Sequence, residues 1–221
     1  MARPSKRRLC EALLERHGRT LADELRIDVA RNTPSPLFRL LVVSILISAR
    51  IRHRIALDAA RALAEQGWTT PQKLGAASWA QRTRVLNRAG YARYDERTSR
   101  MLGDTCELLL ERYRGDLRRL RDEAGREPRR ERALLKELKG LGDVGVDVFF
   151  REVQVAWDEL YPFADRRALR AAQRLGLGGD ARALARLAGG DAEEFSRLVA
   201  ALVGVGVERD FDGVRAAAAG A

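Results

Sequence analysis

Apolar residues along this chain recur at three- and four-residue intervals, and no stretch alternates with a period of two between turn signals. Leu9, Leu13, Leu14, His17 and Leu21 give residues 7–26 one helical face. The run Arg31-Asn32-Thr33-Pro34-Ser35-Pro36 ends it, because proline cannot sit in a helix interior. Ser35 is then placed to cap a new helix, with Pro36 in its first turn. That helix, residues 37–49 with the sequence LFRLLVVSILISA, is apolar on nearly every side and should lie at the centre of the fold. Its β-branched content would also suit a strand, but its length, proline-capped start and helical neighbours favour a helix.

The same periodicity predicts helices over residues 54–66, 70–76, 78–89, 95–114, 129–138 and 144–157. Three more, over 165–175, 180–187 and 191–203, each begin with an aspartate in the capping position. About ten helices follow from these start and stop rules. The low-complexity tail, 216–221, is expected to fray. The chain therefore reads as all-α.

With 221 residues the chain is one large domain or two small ones, and it can bury a core without disulfides or metals. Cys10 and Cys106 stand alone, so no structural zinc or iron–sulfur site can be assembled and a reducing cytoplasm fits best. No run is apolar enough to span a membrane, and the basic start MARPSKRRLC has no apolar stretch behind it that would make a secretory leader. The net charge of +10 points to a polyanion. Lysine occurs only at 6, 73, 136 and 139, so the charge is almost all arginine, and an idle basic surface is the other reading.

Residues 138–145, LKGLGDVG, interrupt two helical stretches with a very short, bare loop. One reading is a glycine cap and a tight corner. The other gives the corner an outside partner. Gly140 and Gly142 strip side chains from the outer face, the first N–H groups of the next helix point outward, and such a nest attracts a phosphate oxygen. Leu141, between the glycines, can plug back into the helix pair. The sequence Val203-Gly204-Val205-Gly206 has the same look, but few residues remain after it for a second helix.

Taken in order, three blocks resemble the helix-hairpin-helix DNA glycosylases of the endonuclease III superfamily (the HhH-GPD group): residues 35–50, the hairpin 138–145, and Tyr161-Pro-Phe-Ala-Asp-Arg-Arg-Ala-Leu-Arg170. A Gly90-Tyr91 turn before a long helix agrees as well, and the likeness runs over roughly residues 30–178. It implies two helical lobes with a cleft between them and the hairpin at its mouth. One lobe would be 34–158, the other 1–33 with 159–221. The family's aspartate falls on Asp165, whose carboxylate would stabilise the sugar cation formed as a base departs; the bland role of Asp165 is a helix cap, and the two are compatible. The family's lyase lysine falls on Val144, which cannot form a Schiff base. Ser44 stands where the adenine-removing branch has a glutamate, and the iron–sulfur loop is missing.

On this likeness Lys139, Gly140, Leu141, Gly142, Val144 and Gly145 would hold the DNA backbone, with Arg166 and Arg167 beside them. Arg50 stands where the family often has a glutamine that fills the hole left by an extruded base; a surface phosphate contact is its other reading. Arg52, His53 and Arg54 would form a basic rim. Asp143 puts a negative charge where a basic residue is usual. Tyr91, Tyr94, Tyr161 and Trp157 are candidates to stack on an extruded base, though core packing is the commoner fate of such rings. The expectation is a monomeric, monofunctional glycosylase acting on double-stranded DNA without metal or cofactor. The rival is a protein on the same scaffold that recognises damaged or branched DNA by shape without chemistry.

Overall fold

A computed structural model describes residues 4–49 and 51–220. Among them are fourteen α-helices, one 3-10 turn and no strand, so the protein is all-α. Two buried clusters organise the helices. The larger contains α2 (Leu21–Leu25), α3 (Pro34–Ser48), α4 (His53–Glu65), α5 (Pro71–Ala76), α6 (Trp79–Arg88), α7 (Asp95–Tyr113), α8 (Leu117–Glu123), α9 (Pro128–Glu137) and α10 (Asp143–Val153). The smaller joins α1 (Lys6–His17) to α11 (Arg166–Leu175), α12 (Ala181–Leu187), α13 (Ala192–Glu208) and α14 (Phe211–Gly220). Leu21, Leu25, Ile27 and Val29 pack into the larger cluster, although the expected boundary put them in the other lobe.

At the centre of the larger cluster, α3 presents Leu37, Leu40, Leu41, Val43 and Leu46 with no exposed surface. Burying each such side chain is worth roughly 1.5–3 kcal/mol. Thr33, not Ser35, occupies the cap position, with Pro34 first in the helix. Ser35 instead donates from Oγ to the Thr69 carbonyl at 2.9 Å, which ties the start of α3 to the loop before α5. Two serines on α3 turn back on their own helix: Ser44 Oγ donates to Leu40 O at 2.8 Å and Ser48 Oγ to Ser44 O at 2.7 Å. Their small, satisfied side chains let α10 come close.

The predicted helix over 7–26 is two. Gly18 closes α1, and Thr20 starts α2 with a capping box in which Asp23 answers. The short α8 was not expected from the periodicity. Residues 203–206 lie inside α13, and the tail forms α14, whose Phe211, Val214 and Ala218 are buried against α1 and its neighbours. Asp165, Asp180 and Asp191 all cap their helices as expected, each accepting a first-turn N–H.

Candidate nucleic-acid interface

The corner between α9 and α10 is built by alternation. Leu138 and Leu141 are buried, while Lys139, Gly142, Asp143 and Val144 face outward. Gly140 has φ +85°, and a Cβ there would stand 3.0 Å from Ile45 Cγ2 and 3.1 Å from Met101 Sδ. Backbone conformation and close approach therefore both require glycine at 140. The Thr105 hydroxyl fixes the loop from behind by donating to Lys139 O at 3.0 Å. Gly142 is different. It caps α10 with no side-chain hydrogen bond, and nothing lies within 4 Å of where its Cβ would be. The N–H groups of Asp143 and Val144 have no acceptor among the described residues and open outward beside it. Packing therefore does not require glycine at 142.

Charge around the corner is arranged in pairs. Lys136 Nζ lies 2.9 Å from Asp143 Oδ1, and Arg132 meets Asp147 at 2.6 Å and Asp143 at 3.8 Å. The hydrogen bond from Lys136 holds the Asp143 carboxyl below its ordinary range. The acid that would repel a phosphate is thereby countered, while Lys139 stays exposed and without a carboxylate partner among the described residues. Val144 is 43% exposed, an apolar side chain on the outer turn.

The other expected contacts fall in several places. Arg52, His53 and Arg54 are exposed where α4 begins. Arg166 and Arg167 are exposed in the first turn of α11, with no ion pair among the described residues. Arg50 lies outside the described residues. Two hairpin residues have internal duties. Leu141 is 2% exposed and belongs to the core. Gly145 is buried, and a Cβ on it would be 2.7 Å from Leu141 Cδ1 and would also press on Ser48 Oγ, so it is the point of contact between α10 and α3. Neither can reach DNA with a side chain.

Asp165 lies at the junction of the two clusters and is only 7% exposed. Its Oδ1 accepts from Arg167 N at 2.6 Å and Ala168 N at 3.2 Å. Its Oδ2 faces Arg151 Nε at 3.2 Å, with the two side chains 11% and 5% exposed for Arg151 and Asp165. The contact is an ion pair without hydrogen-bond geometry, since Arg151 Nε has no hydrogen-bond partner among the described residues. Arg151 reaches from α10, the helix of the hairpin. Its carbonyl accepts from Ser196 Oγ of α13 at 2.9 Å and from Gln154 Nε2 at 2.9 Å. Gln154 in turn brackets Phe163, accepting its N–H at 2.8 Å and donating to its carbonyl at 3.1 Å, which fixes the segment that delivers Asp165. Next along α10, the buried Glu152 accepts from Leu21 N at 3.3 Å and Ala22 N at 3.0 Å; burial still pushes its carboxyl up. Nothing in the sequence marked Arg151 as the partner of Asp165.

The aromatic candidates divide. Tyr91 has no exposed surface, and its hydroxyl donates to Leu46 O at 2.9 Å, so it is a core residue and cannot stack on a base. Burial pushes that hydroxyl up to about 12. Trp157 is equally buried, with Nε1 donating to Asn32 Oδ1 at 3.3 Å. Tyr94 is half-buried, with the Arg93 guanidinium 5.3 Å from its ring centre. Tyr161 is half-buried edge-on to Phe195 at 5.4 Å, and its buried hydroxyl has no partner among the described residues. The cysteines are inert: burial pushes Cys10 up to about 11 and Cys106 up to about 12.

No family model matches the chain, and no curated protein matches it either. Among solved structures it is similar to a trapped endonuclease III–DNA covalent intermediate, an estranged-adenine complex. The identity is 19% and the TM-score 0.47, over 75% of this chain and 71% of that one. The chemistry therefore has to come from this chain's own residues.

Proposed function

We propose that this protein holds duplex DNA by its sugar–phosphate backbone and recognises a damaged or branched duplex by its shape. The observation that carries this is the corner at 138–142. A glycine that packing does not require stands over open first-turn N–H groups, beside a lysine without a partner and an acid already countered by Lys136. Backbone donors of this kind position a strand without reading its bases. Arg52, Arg54, Arg166 and Arg167 supply the wider electrostatic attraction.

A second reading is favoured by where Asp165 sits. It is rigidly capped, joined to the hairpin helix through Arg151, and held by a contact that lacks hydrogen-bond geometry. If bound DNA draws Arg151 away, the freed carboxylate stabilises the positive charge that develops on a deoxyribose as its base leaves, and water completes a monofunctional N-glycosidic hydrolysis. With Arg151 in place, both carboxylate oxygens are engaged and the site is a binder's.

Fluorescence anisotropy on duplexes, each carrying one lesion, tests both readings. Gly142→Glu puts a carboxylate over the N–H groups without touching the core and should abolish binding. Lys139→Ala should lower the slope of log K against log salt by roughly 0.9. Unchanged binding in Gly142→Glu would overturn the interface. Alkali-sensitive base release that vanishes in Asp165→Asn, with binding kept, would establish the glycosylase; binding without release across the panel leaves recognition by shape.

A further inference from the structure

Helix α8, the turn after it and the loop at Asn32 enclose an open basin of about 570 Å³. It shares no residue with the hairpin. Four guanidinium groups line it, those of Arg118, Arg119, Arg121 and Arg126, against the two carboxylates of Asp116 and Asp122. These charges are not equally available. Asp116 is neutralised by Arg118, at 2.7 Å from Nη2 and 3.0 Å from Nε, and it also caps α8. Arg121 is a fixed wall. Its Nε donates to Glu159 at 2.6 Å and its Nη2 to Asp158 at 2.8 Å, and its guanidinium lies 5.5 Å from the Trp157 ring centre. That leaves its Nη1 without an acceptor among the described residues, and likewise Nδ2 of Asn32, whose Oδ1 is held by Trp157. Arg119 and Arg126 are exposed and have no carboxylate partner among the described residues. Asp122 opposes an anion, and so does the exposed Asp158, because Arg121 counters two carboxylates; the charge left for an anion is that of Arg119 and Arg126.

Among the described residues five non-glycine residues have positive φ; Asn32 at +48° and Arg126 at +55° line this basin, while Arg26, Arg114 and Arg209 close helices elsewhere. The Arg126 N–H returns to the Arg121 carbonyl at 3.1 Å, so the end of α8 fixes where the Arg126 side chain starts. The result is a set of N–H donors around an open polar hollow, with the planar forks of Arg119 and Arg126 suited to two oxygens of one phosphate.

We infer that this basin is a second oxyanion site, which takes the phosphate groups of a nucleotide strand or of a free phosphorylated molecule. It does not depend on the hairpin. Trp157 reports on it directly, because it lies under Arg121; of the three tryptophans, Trp68 and Trp79 can be replaced by phenylalanine to leave it alone. Titrating that protein with pyrophosphate and, separately, with a short single-stranded oligothymidylate should change its emission saturably. A response to the oligonucleotide assigns a nucleic-acid strand; a response to pyrophosphate alone assigns a small phosphorylated ligand. Arg119→Gln with Arg126→Asn, which keeps a residue tolerant of the left-handed turn, should weaken binding by at least about tenfold. Asp122→Asn should tighten it. Gly142→Glu should leave it unchanged, so loss of duplex binding at the hairpin and loss of this site are separable. No saturable response to either probe at millimolar concentration, or equal affinity in all the basin variants, would overturn the site.

Discussion

Replacing Glu131 by glutamine should remove a pH dependence from the stability of this fold. Glu131, on α9, has no exposed surface, and neither carboxyl oxygen finds a hydrogen-bond donor among the described residues. An anion there would be a buried charge facing the carboxylate of Glu159, which Arg121 already holds at 2.6 Å. The stable arrangement has one proton on the pair. Burial first, and then Glu159, push Glu131 up to about 9, and the charge of Arg121 opposes this only in part. Burial also acts to raise Glu159, but the Arg121 guanidinium that donates to it and the proton carried by its neighbour Glu131 outweigh that and hold it down at about 2.

In the unfolded chain both groups titrate near 4.5. Above that value the folded pair keeps a proton that the unfolded chain has lost, so the contribution of Glu131 is present at low pH and drains away as pH rises towards about 9. Glu159 behaves oppositely: its contribution is present above 4.5 and is lost as pH falls towards about 2. One proton corresponds to about 1.4 kcal/mol per pH unit, so the roughly four units between pH 5 and pH 9 cost up to roughly 5 kcal/mol. Glutamine has no proton to lose and can donate its amide N–H to Glu159. Urea unfolding followed by circular dichroism, at steps between about pH 5 and pH 9, should show the native slope exceeding that of Glu131→Gln by up to this amount. All other titrating groups are common to both proteins and cancel. Parallel curves for the two would refute the shared proton.

Three further outcomes test the packing of the two buried clusters. Gly145→Ala should cost about 1–3 kcal/mol in a urea or thermal melt, because its methyl would meet Leu141 Cδ1 at 2.7 Å and press on Ser48. Asp165→Ala leaves Arg151 buried without its counter-ion and should cost about 3–5 kcal/mol, against about 1 kcal/mol for the exposed cap Asp180→Ala; equal losses would mean that the ion pair contributes nothing. Phe211→Ala should cost about 3–5 kcal/mol, since the ring is 5% exposed and lies 3.9 Å from the Arg174 guanidinium; a loss within about 0.5 kcal/mol would mean that α14 does not dock.

Helices were legible wherever a single face had to be buried. The apolar run of α3, the aspartate caps at 165, 180 and 191, and the positive φ of the glycine at 140 are all patterns of neighbouring residues, although the close approach of Ile45 and Met101 to Gly140 is not. What was misread needed a distant partner. Ser35 looks like a cap until Thr69, on another segment, offers its carbonyl. The alanine-rich tail carries too little pattern to announce a helix, and α14 is held by the surface that α1 presents to it. The pair Gly204 and Gly206 copies the look of the hairpin yet lies within α13, where Gly204 gives His17 of α1 room. Glycine marks close approach in either case, and only the partner distinguishes a corner from a contact.

The same division runs through the site. Bareness at Gly142 could be read in advance, because a capping glycine followed by an uncapped helix is a local arrangement. The state of Asp165 could not. Its carboxylate is paired with Arg151, fourteen positions earlier, and that arginine is placed by a carbonyl shared with Ser196 and by the clasp of Gln154 on Phe163. An aspartate in the expected position is thus compatible with two opposite chemistries. Unpaired, it would face a developing cation; paired, it completes the junction of two helical clusters and stabilises the start of α11. Removing the arginine separates them. Arg151→Met keeps the volume of the side chain and leaves the capped carboxylate without a cation. If hydrolysis is the function and Arg151 suppresses it at rest, Arg151→Met should release damaged bases faster than the native protein while binding DNA no better. If the ion pair is structural, the same variant should lose stability and gain no activity on any lesion.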